Sequence, residues 1–384
     1  MGIEGCDDLD YYLPTRIRYG FGRVRELGEI AAGLGTRALV VTTPGIPHTE
    51  RVQRILAGAG VEPVVYDRAE PNPTAASVDA AGEAARETER DMVIGVGGGS
   101  SMDTAKGAAV MAVNHGSCWE YTIEYRGQRR EIEREPLPIV AVPTTAGTGS
   151  EVNFIAVLSN RETGQKGPVR SDLIRPAYAV IDPELTVTMP ASVTASTGFD
   201  AMTHAFERLF AGRRHPYVDM LTENVIGTVI AHLPRVLARP DDVEARARMS
   251  WAATQGALCV LAPMGQSGLH VFGLAVSAVL DAVHGLALAA VMPTVLEDLA
   301  RAYPERASRL AEMLGEESAA ERAVPGMRRW TAEIGVDVTL RDLGADEGDL
   351  DALVRATNMD RLERSYHRPL RANDVRAVYR SALD

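Results

Sequence analysis

Asp200 and His204 stand four residues apart in the stretch Phe199-Asp-Ala-Met-Thr-His-Ala-Phe-Glu207. In a helix, that spacing projects both side chains from one face. A carboxylate and an imidazole placed this way can share a divalent cation. His270 and His284 follow, fourteen residues apart in an otherwise apolar stretch. Their separation suits ligands on two elements, or on a helix and the loop after it. A lone buried histidine is more often a satisfied core residue than a ligand. Two in apolar surroundings, joined to an Asp-x-x-x-His pair, point to a metal instead. Three imidazoles and one carboxylate suit Fe2+ or Zn2+ better than Mg2+ or Ca2+, which prefer oxygen shells. Nothing in the residues chooses between iron and zinc. His48, His115, His215, His232 and His367, the rest of the eight histidines, sit in polar or turn-like contexts.

Two glycine-bearing loops offer a second chemistry. Gly95-Val-Gly97-Gly98-Gly99-Ser100 lies between a strand-like and a helix-like segment. Without Cβ atoms the backbone can approach a ligand and take positive φ. The helix that follows aims free N–H groups and the positive end of its dipole at the loop, where a pyrophosphate is the natural guest. Ser100 and Ser101 add hydroxyl donors. The spacing is not a clean G-x-G-x-x-G, and a plain strand–helix turn is the rival reading. Asp103 and Lys106, three apart on that helix, read as a solvated pair. Pro143-Thr-Thr-Ala-Gly-Thr-Gly-Ser-Glu151 also follows a strand. Its hydroxyls and glycines suit the carboxyl end of a parallel sheet, where α/β domains bind ligands.

The elements that must carry these groups fall into two textures. Arg37-Ala-Leu-Val-Val-Thr42, Val61 to Tyr66, Asp91 to Val96 and Pro138 to Val142 read as strands. They are short apolar runs of the kind a sheet buried on both faces requires. Helical patterns separate them: one presents Val52, Ile55 and Leu56, one starts with Thr74 as N-cap, and one runs from Ser101 to Val113. This alternation predicts a doubly wound α/β domain. After about Asp182 strand-like runs vanish and Ala/Leu-rich helical stretches dominate. The boundary is placed near residue 187, giving domains of 1–187 and 188–384, with ligands expected in a cleft between them.

Composition narrows the function. The chain has 384 residues, is 46% hydrophobic and carries a net charge of −12. It has no basic block and no aromatic-basic interleaving, which argues against nucleic acid. Cys6, Cys118 and Cys259 are widely spaced, which suits a reducing cytoplasm better than a disulfide framework. Residues 1–10 are acidic and do not read as a signal peptide. The most apolar run, Gly273 to Met292, contains Asp281 and His284, so it reads as buried core rather than a membrane span.

These residues taken together resemble the iron-containing (group III) alcohol dehydrogenase family over nearly the whole chain. The stretches that carry the resemblance are Gly97-Gly-Gly-Ser-Ser-Met-Asp-Thr-Ala-Lys106, Pro143-Thr-Thr-Ala-Gly-Thr-Gly-Ser-Glu-Val152, Ile181-Asp-Pro-Glu-Leu185 and Thr197-Gly-Phe-Asp-Ala-Met-Thr-His-Ala-Phe-Glu207. His270 and His284-Gly285 keep the family's spacing for its last two ligands. The resemblance implies an α/β nucleotide-binding domain followed by an all-α domain, a dehydroquinate synthase-like fold. It implies Fe2+ or Zn2+ on Asp200, His204, His270 and His284, which are also the catalytic set. It further implies NAD(H) or NADP(H) held by Thr43, Gly97, Gly98, Gly99, Ser100, Asp103, Thr144, Thr145, Thr148, Ser150, Val152, Lys166 and Leu185. Lys166 is placed by its distance to Pro176, and its rival reading is a loop lysine in solvent. The expected reaction is hydride transfer between nicotinamide and a small primary alcohol or aldehyde, in a homodimer or larger homo-oligomer. A polyol dehydrogenase, a cyclising synthase and a non-catalytic nucleotide-binding protein are the rivals.

Three departures qualify the resemblance. Thr43 replaces an aspartate that would accept hydrogen bonds from a ribose 2′-hydroxyl and repel a 2′-phosphate, so NADP(H) stays open beside NAD(H). Leu274 stands where many members carry a further histidine thought to assist proton relay or substrate placement. Val283 replaces a proline before the last ligand. Arg213, Arg214, His215, His367 and Arg368 are cationic candidates for an anionic aldehyde such as a phosphonate or carboxylate derivative; their plainer reading is solvated helix ends and tail.

Overall fold

The computed structural model describes residues 7–125, 127–262 and 266–384, so Cys6 lies outside the described residues. The chain forms two compact units. One is Leu13–Met189; the other is Pro190–Asp384 together with residues 7–12. The sequence reading put the first residues with the α/β domain. They belong instead to the helical unit because their polar groups and rings are satisfied there. Asp7 N–H donates to Arg214 O (2.8 Å), Arg214 N–H donates to the Asp7 carboxylate (2.6 Å), and the Tyr11 hydroxyl donates to Leu258 O (3.2 Å).

The first unit is built on a six-stranded parallel sheet of β1 (Arg16–Tyr19), β2 (Arg37–Thr42), β3 (Glu62–Tyr66), β4 (Met92–Gly97), β5 (Ile139–Pro143) and β8 (Tyr178–Ile181). The order across it is β1-β8-β5-β4-β2-β3. A two-stranded antiparallel hairpin, β6 (Ile155–Asn160) and β7 (Gln165–Arg170), stands apart from it. Strand β2 shows why the central strands read as unbroken apolar runs. Ala38 and Val40 pack into a core with Val24, Leu27, Val52 and Leu56. Leu39 and Val41 face the other core, with Val78, Ala105 and Ala108. Helices α1 (Leu27–Ala32), α2 (Thr49–Gly58), α3 (Ala75–Glu87) and α4 (Gly99–Met111) connect the strands. The Thr74 side chain caps α3 by accepting from Ser77 N–H at 3.1 Å. From β2 the chain moves by α2 to β3 on one side; from β4 it moves to β5 on the other. The β2/β4 boundary is therefore the switch point at which such sheets open a crevice at their carboxyl ends.

The second unit contains α5 (Ala191–Leu209), α6 (Pro216–Ala238), α7 (Val243–Leu261), α8 (Leu269–Leu280) and α9 (His284–Ala302). It continues with α10 (Pro304–Met313), α11 (Ala323–Glu333), α12 (Leu350–Ala356), α13 (Met359–Ser365) and α14 (Ala372–Ser381). No strand is assigned there among the described residues. The apolar run Gly273–Met292 is two helices broken at residues 281–283, where Asp281 adopts a left-handed φ of 49°. Among the described residues no helix is long and apolar enough to cross a membrane.

Candidate metal centre and nucleotide loops

Helix α5 supplies Asp200 and His204, α8 supplies His270 as its second residue, and α9 begins at His284. Glycines let these helices approach. A Cβ on Gly285 would sit 2.1 Å from Ser196 O, so only glycine lets the first turn of α9 rest on the α5 backbone. A Cβ on Gly273 would come within 2.6 Å of the Leu288 side chain, and one on Gly256 within 2.9 Å of Ala201 O. Helices α7, α8 and α9 are thus drawn in around the Asp200 turn.

Donor atoms converge as a result. Asp200 Oδ1 lies 3.6 Å from His270 Nε2 and 3.9 Å from His284 Nε2. One ligand atom from each of Asp200, His270 and His284 falls within 4.8 Å of the others. His204 stands beside this triad with its ring stacked on His270, centroids 4.9 Å apart and planes 16° from parallel. Asp200 Oδ1, His204 Nδ1 and His270 Nε2 are buried without a hydrogen-bond partner. Unmet buried polar atoms are costly. A divalent ion would satisfy such a set, and the mixture of imidazole and carboxylate has the softness of an iron or zinc site.

The electrostatics agree. Burial opposes ionisation of Asp200, but the charges of His204, His270 and His284 outweigh it and hold the carboxyl well below its usual range. Burial pulls the His204 imidazole down to about 4. Burial also acts against a charged His270, yet Glu207 and Asp200 outweigh it and push that imidazole up.

Glu207 did not stand out in the sequence. It is fully buried, accepts a hydrogen bond from His270 N–H at 3.1 Å, and brings its other oxygen to 3.2 Å from His270 Nδ1. Its one sequence signal is position: residues 200, 204 and 207 share a helix face.

In the α/β unit the two loops pack on each other. Gly97 takes a φ of 146°. A Cβ on Gly99 would meet Thr148 Cγ2 at 2.6 Å, and one on Gly98 would meet Thr145 Cγ2 at 3.2 Å. Thr144 N–H donates to Gly97 O at 2.8 Å. These glycines thus make room for the second loop as well as for a ligand. Helix α4 begins after Gly98 with no side-chain cap, so its first N–H groups keep their anion-attracting character. Thr43 and Ser101 share a hydrogen bond of 2.8 Å across the β2/β4 switch point.

Asp103 and Lys106 are not the solvated pair expected from their spacing. Lys106 is fully buried and its Nζ donates to Ser150 Oγ, Asn153 Oδ1 and Ile155 O, each at 2.8 Å. Asp103 accepts from Ser150 Oγ at 2.6 Å and from Val157 N–H at 2.9 Å. Burial pulls the Lys106 ammonium down to about 8, against the charges of Asp103 and Glu151. Lys166 is not a plain solvent lysine either, since its Nζ donates to Asn72 Oδ1 at 2.7 Å. Val152 and Leu185 are fully buried, and Leu185 O lies 3.0 Å from His48 Nε2, a partner the sequence did not suggest.

Comparison with known proteins identifies the family. The sequence model described as iron-containing alcohol dehydrogenase matches residues 14–183, and the C-terminal model of the Fe-containing alcohol dehydrogenase family matches 194–383. The chain is 30% identical over 386 residues to NAD-dependent methanol dehydrogenase of Bacillus methanolicus, covering 97% of this chain and 100% of that protein. An archaeal halo-thermophilic alcohol dehydrogenase from a Red Sea brine pool superposes with a TM-score of 0.92 at 30% identity, covering 98% and 99% of the two chains. Sulfoacetaldehyde reductase from Bifidobacterium kashiwanohense, solved with NAD+, gives 0.85 at 29% identity over 98% and 99%. The chain belongs to the iron-containing alcohol dehydrogenase family, whose members are oxidoreductases.

Proposed function

We propose that this protein is a metal-dependent, NAD(P)-linked alcohol dehydrogenase or aldehyde reductase acting on small primary alcohols or aldehydes. The observation that carries the reading is the convergence of buried Asp200 and His270 with half-buried His284, His204 being stacked on His270 beside them. These four residues would hold Fe2+ or Zn2+, which when bound supplies Lewis acidity toward an alcohol or carbonyl oxygen. NAD(H) or NADP(H) supplies the hydride chemistry.

The chain's own groups supply position and charge. Ionised Asp200 contributes negative charge, and His284 starts a helix that Gly285 seats against Ser196. Gly97, Gly98, Gly99 and Ser100 bring backbone donors to a pyrophosphate at the start of α4. Thr144, Thr145, Thr148 and Ser150 line the same edge, with Val152, Lys166 and Leu185 around it. Asp103 acts through Ser150, which it holds at 2.6 Å. Thr43 presents a hydroxyl where a carboxylate would exclude a 2′-phosphate, so both NADH and NADPH are accepted. Leu274 carries no proton, so the alcohol proton leaves by a route other than a side chain at that position.

A neutral substrate is favoured by where the cations go. Arg214 pairs with Asp219 at 2.9 Å, Arg213 donates to Asp8 O at 3.1 Å, and Arg368 pairs with Asp298 at 3.0 Å. His215 caps α6, and His367 lies 3.6 Å from Asp298. Reduction of an anionic aldehyde is the second reading, supported by the sulfoacetaldehyde reductase relative. A screen of neutral and anionic aldehydes with NADH and NADPH, after reloading the protein with iron or zinc, tests both. Turnover confined to anionic aldehydes rejects the first reading, and no turnover with any metal and cofactor rejects the enzyme.

A further inference from the structure

We infer that Glu207 is a positioning residue that fixes the orientation and tautomer of His270 so that Nε2 is left to the metal. The inference rests on the metal-centre reading above. Helix α8 starts after Gly268, which is left-handed (φ 86°) and has no side chain to cap the helix. The His270 N–H is therefore one of the donors that a helix start leaves without an internal partner. Glu207 meets that donor from another helix at 3.1 Å through Oε1. Its second oxygen stands 3.2 Å from Nδ1 of the same residue.

One fully buried carboxylate thus accepts from the backbone N–H of His270 and faces its ring nitrogen. The backbone hydrogen bond fixes the carboxylate, and with it the oxygen that stands beside the ring. Nδ1 and the carboxylate oxygen face each other at 3.2 Å and have no other hydrogen-bond partner. A carboxylate can only accept, so the facing Nδ1 carries the proton and Nε2 keeps its lone pair. Nε2 is the atom 3.6 Å from Asp200 Oδ1, on the side of the converging donors. Carboxylates behind ligating imidazoles commonly set tautomer and basicity in this way. Helix α5 then serves the centre twice, with Asp200 and His204 as the residues that would hold the ion and Glu207, one turn on, behind His270 of α8.

Glu207→Gln is the discriminating variant because it keeps the size and removes the charge. The amide offers one acceptor and one donor. If its oxygen takes the His270 N–H, its NH2 faces Nδ1 and drives the ring proton to Nε2, where it blocks coordination. Zn2+ is titrated into metal-stripped protein against a competing chelator, with the apo-protein's thermal unfolding recorded in parallel. The expected result is affinity weaker by about 10–100-fold, with the apo unfolding midpoint kept. Wild-type affinity in Glu207→Gln overturns the inference. Asp200→Ala, run alongside, separates the levels. Lost binding there with wild-type affinity in Glu207→Gln rejects only the positioning role, whereas retained binding in Asp200→Ala rejects the metal centre itself. Nitrogen NMR of zinc-loaded wild-type protein gives a readout that needs no Glu207 variant to fold. A protonated Nδ1 on His270 supports the inference, and a bare or metal-bound Nδ1 overturns it.

Discussion

The glycine-bearing loops of the α/β unit and the donor cluster of the helical unit satisfy their polar groups in opposite ways. In the α/β unit the loops are closed on themselves. Thr43 pairs with Ser101, Asp103 with Ser150 and Val157, and Lys106 with three oxygens. What these loops leave for a ligand is backbone and space at a helix start. In the helical unit the donors crowd one another and keep unmet atoms on Asp200, His204 and His270. One region is paired within itself; the other keeps buried polar atoms without hydrogen-bond partners. The difference separates polar groups that hold one another in place from those whose buried atoms have no such partner.

Variants sharpen that contrast. Asp200→Ala is expected to have the largest effect. It should abolish metal retention and lower turnover by about two to three orders of magnitude or more, the scale on which lost electrostatic stabilisation is read. Metal analysis and steady-state rates check it, and the apo-protein should still fold. Lys106→Met strikes the closed region. Removing a buried ammonium leaves Asp103 uncompensated and three acceptors unmet, with an expected stability loss of about 3–5 kcal/mol by denaturant unfolding. Metal affinity of the folded fraction should not change, while KM for the dinucleotide should rise. Gly285→Ala forces a Cβ against Ser196 O, and thermal unfolding should show a cost of about 1–3 kcal/mol with weakened zinc binding. Thr43→Asp should have the smallest effect, a loss of about tenfold in kcat/KM for NADPH through charge repulsion, with NADH little changed.

Much of this organisation was legible because it follows from burial. Strands β2, β4 and β5 are buried along nearly their whole length and leave apolar runs in the sequence, and the edge strand β3 keeps the apolar residues Val64, Val65 and Tyr66. Strand β1 was not legible: Arg16 and Arg18 alternate with Ile17 and Tyr19 on a sheet-edge strand. Strand β8 is only four residues long, and the β6–β7 hairpin is polar on much of its surface. The histidines that gather around Asp200 were legible as polar rings in apolar company. Glu207 was not, because a carboxylate on a helix reads as solvated until α8 is seen to cover it. Lys106 was misread for the same reason, since its burial depends on Ser150, Asn153 and Ile155, more than forty positions away. Residues whose roles are set by distant partners leave little local trace.

The central claim is that Asp200 and its histidine partners hold a metal required for nicotinamide-linked turnover. Metal content and aldehyde-dependent NAD(P)H oxidation, measured on the same preparations of wild-type protein and Asp200→Ala, test it directly. The account predicts stoichiometric iron or zinc and turnover in the wild type, with both lost together in the variant. Full turnover by metal-free Asp200→Ala would contradict it.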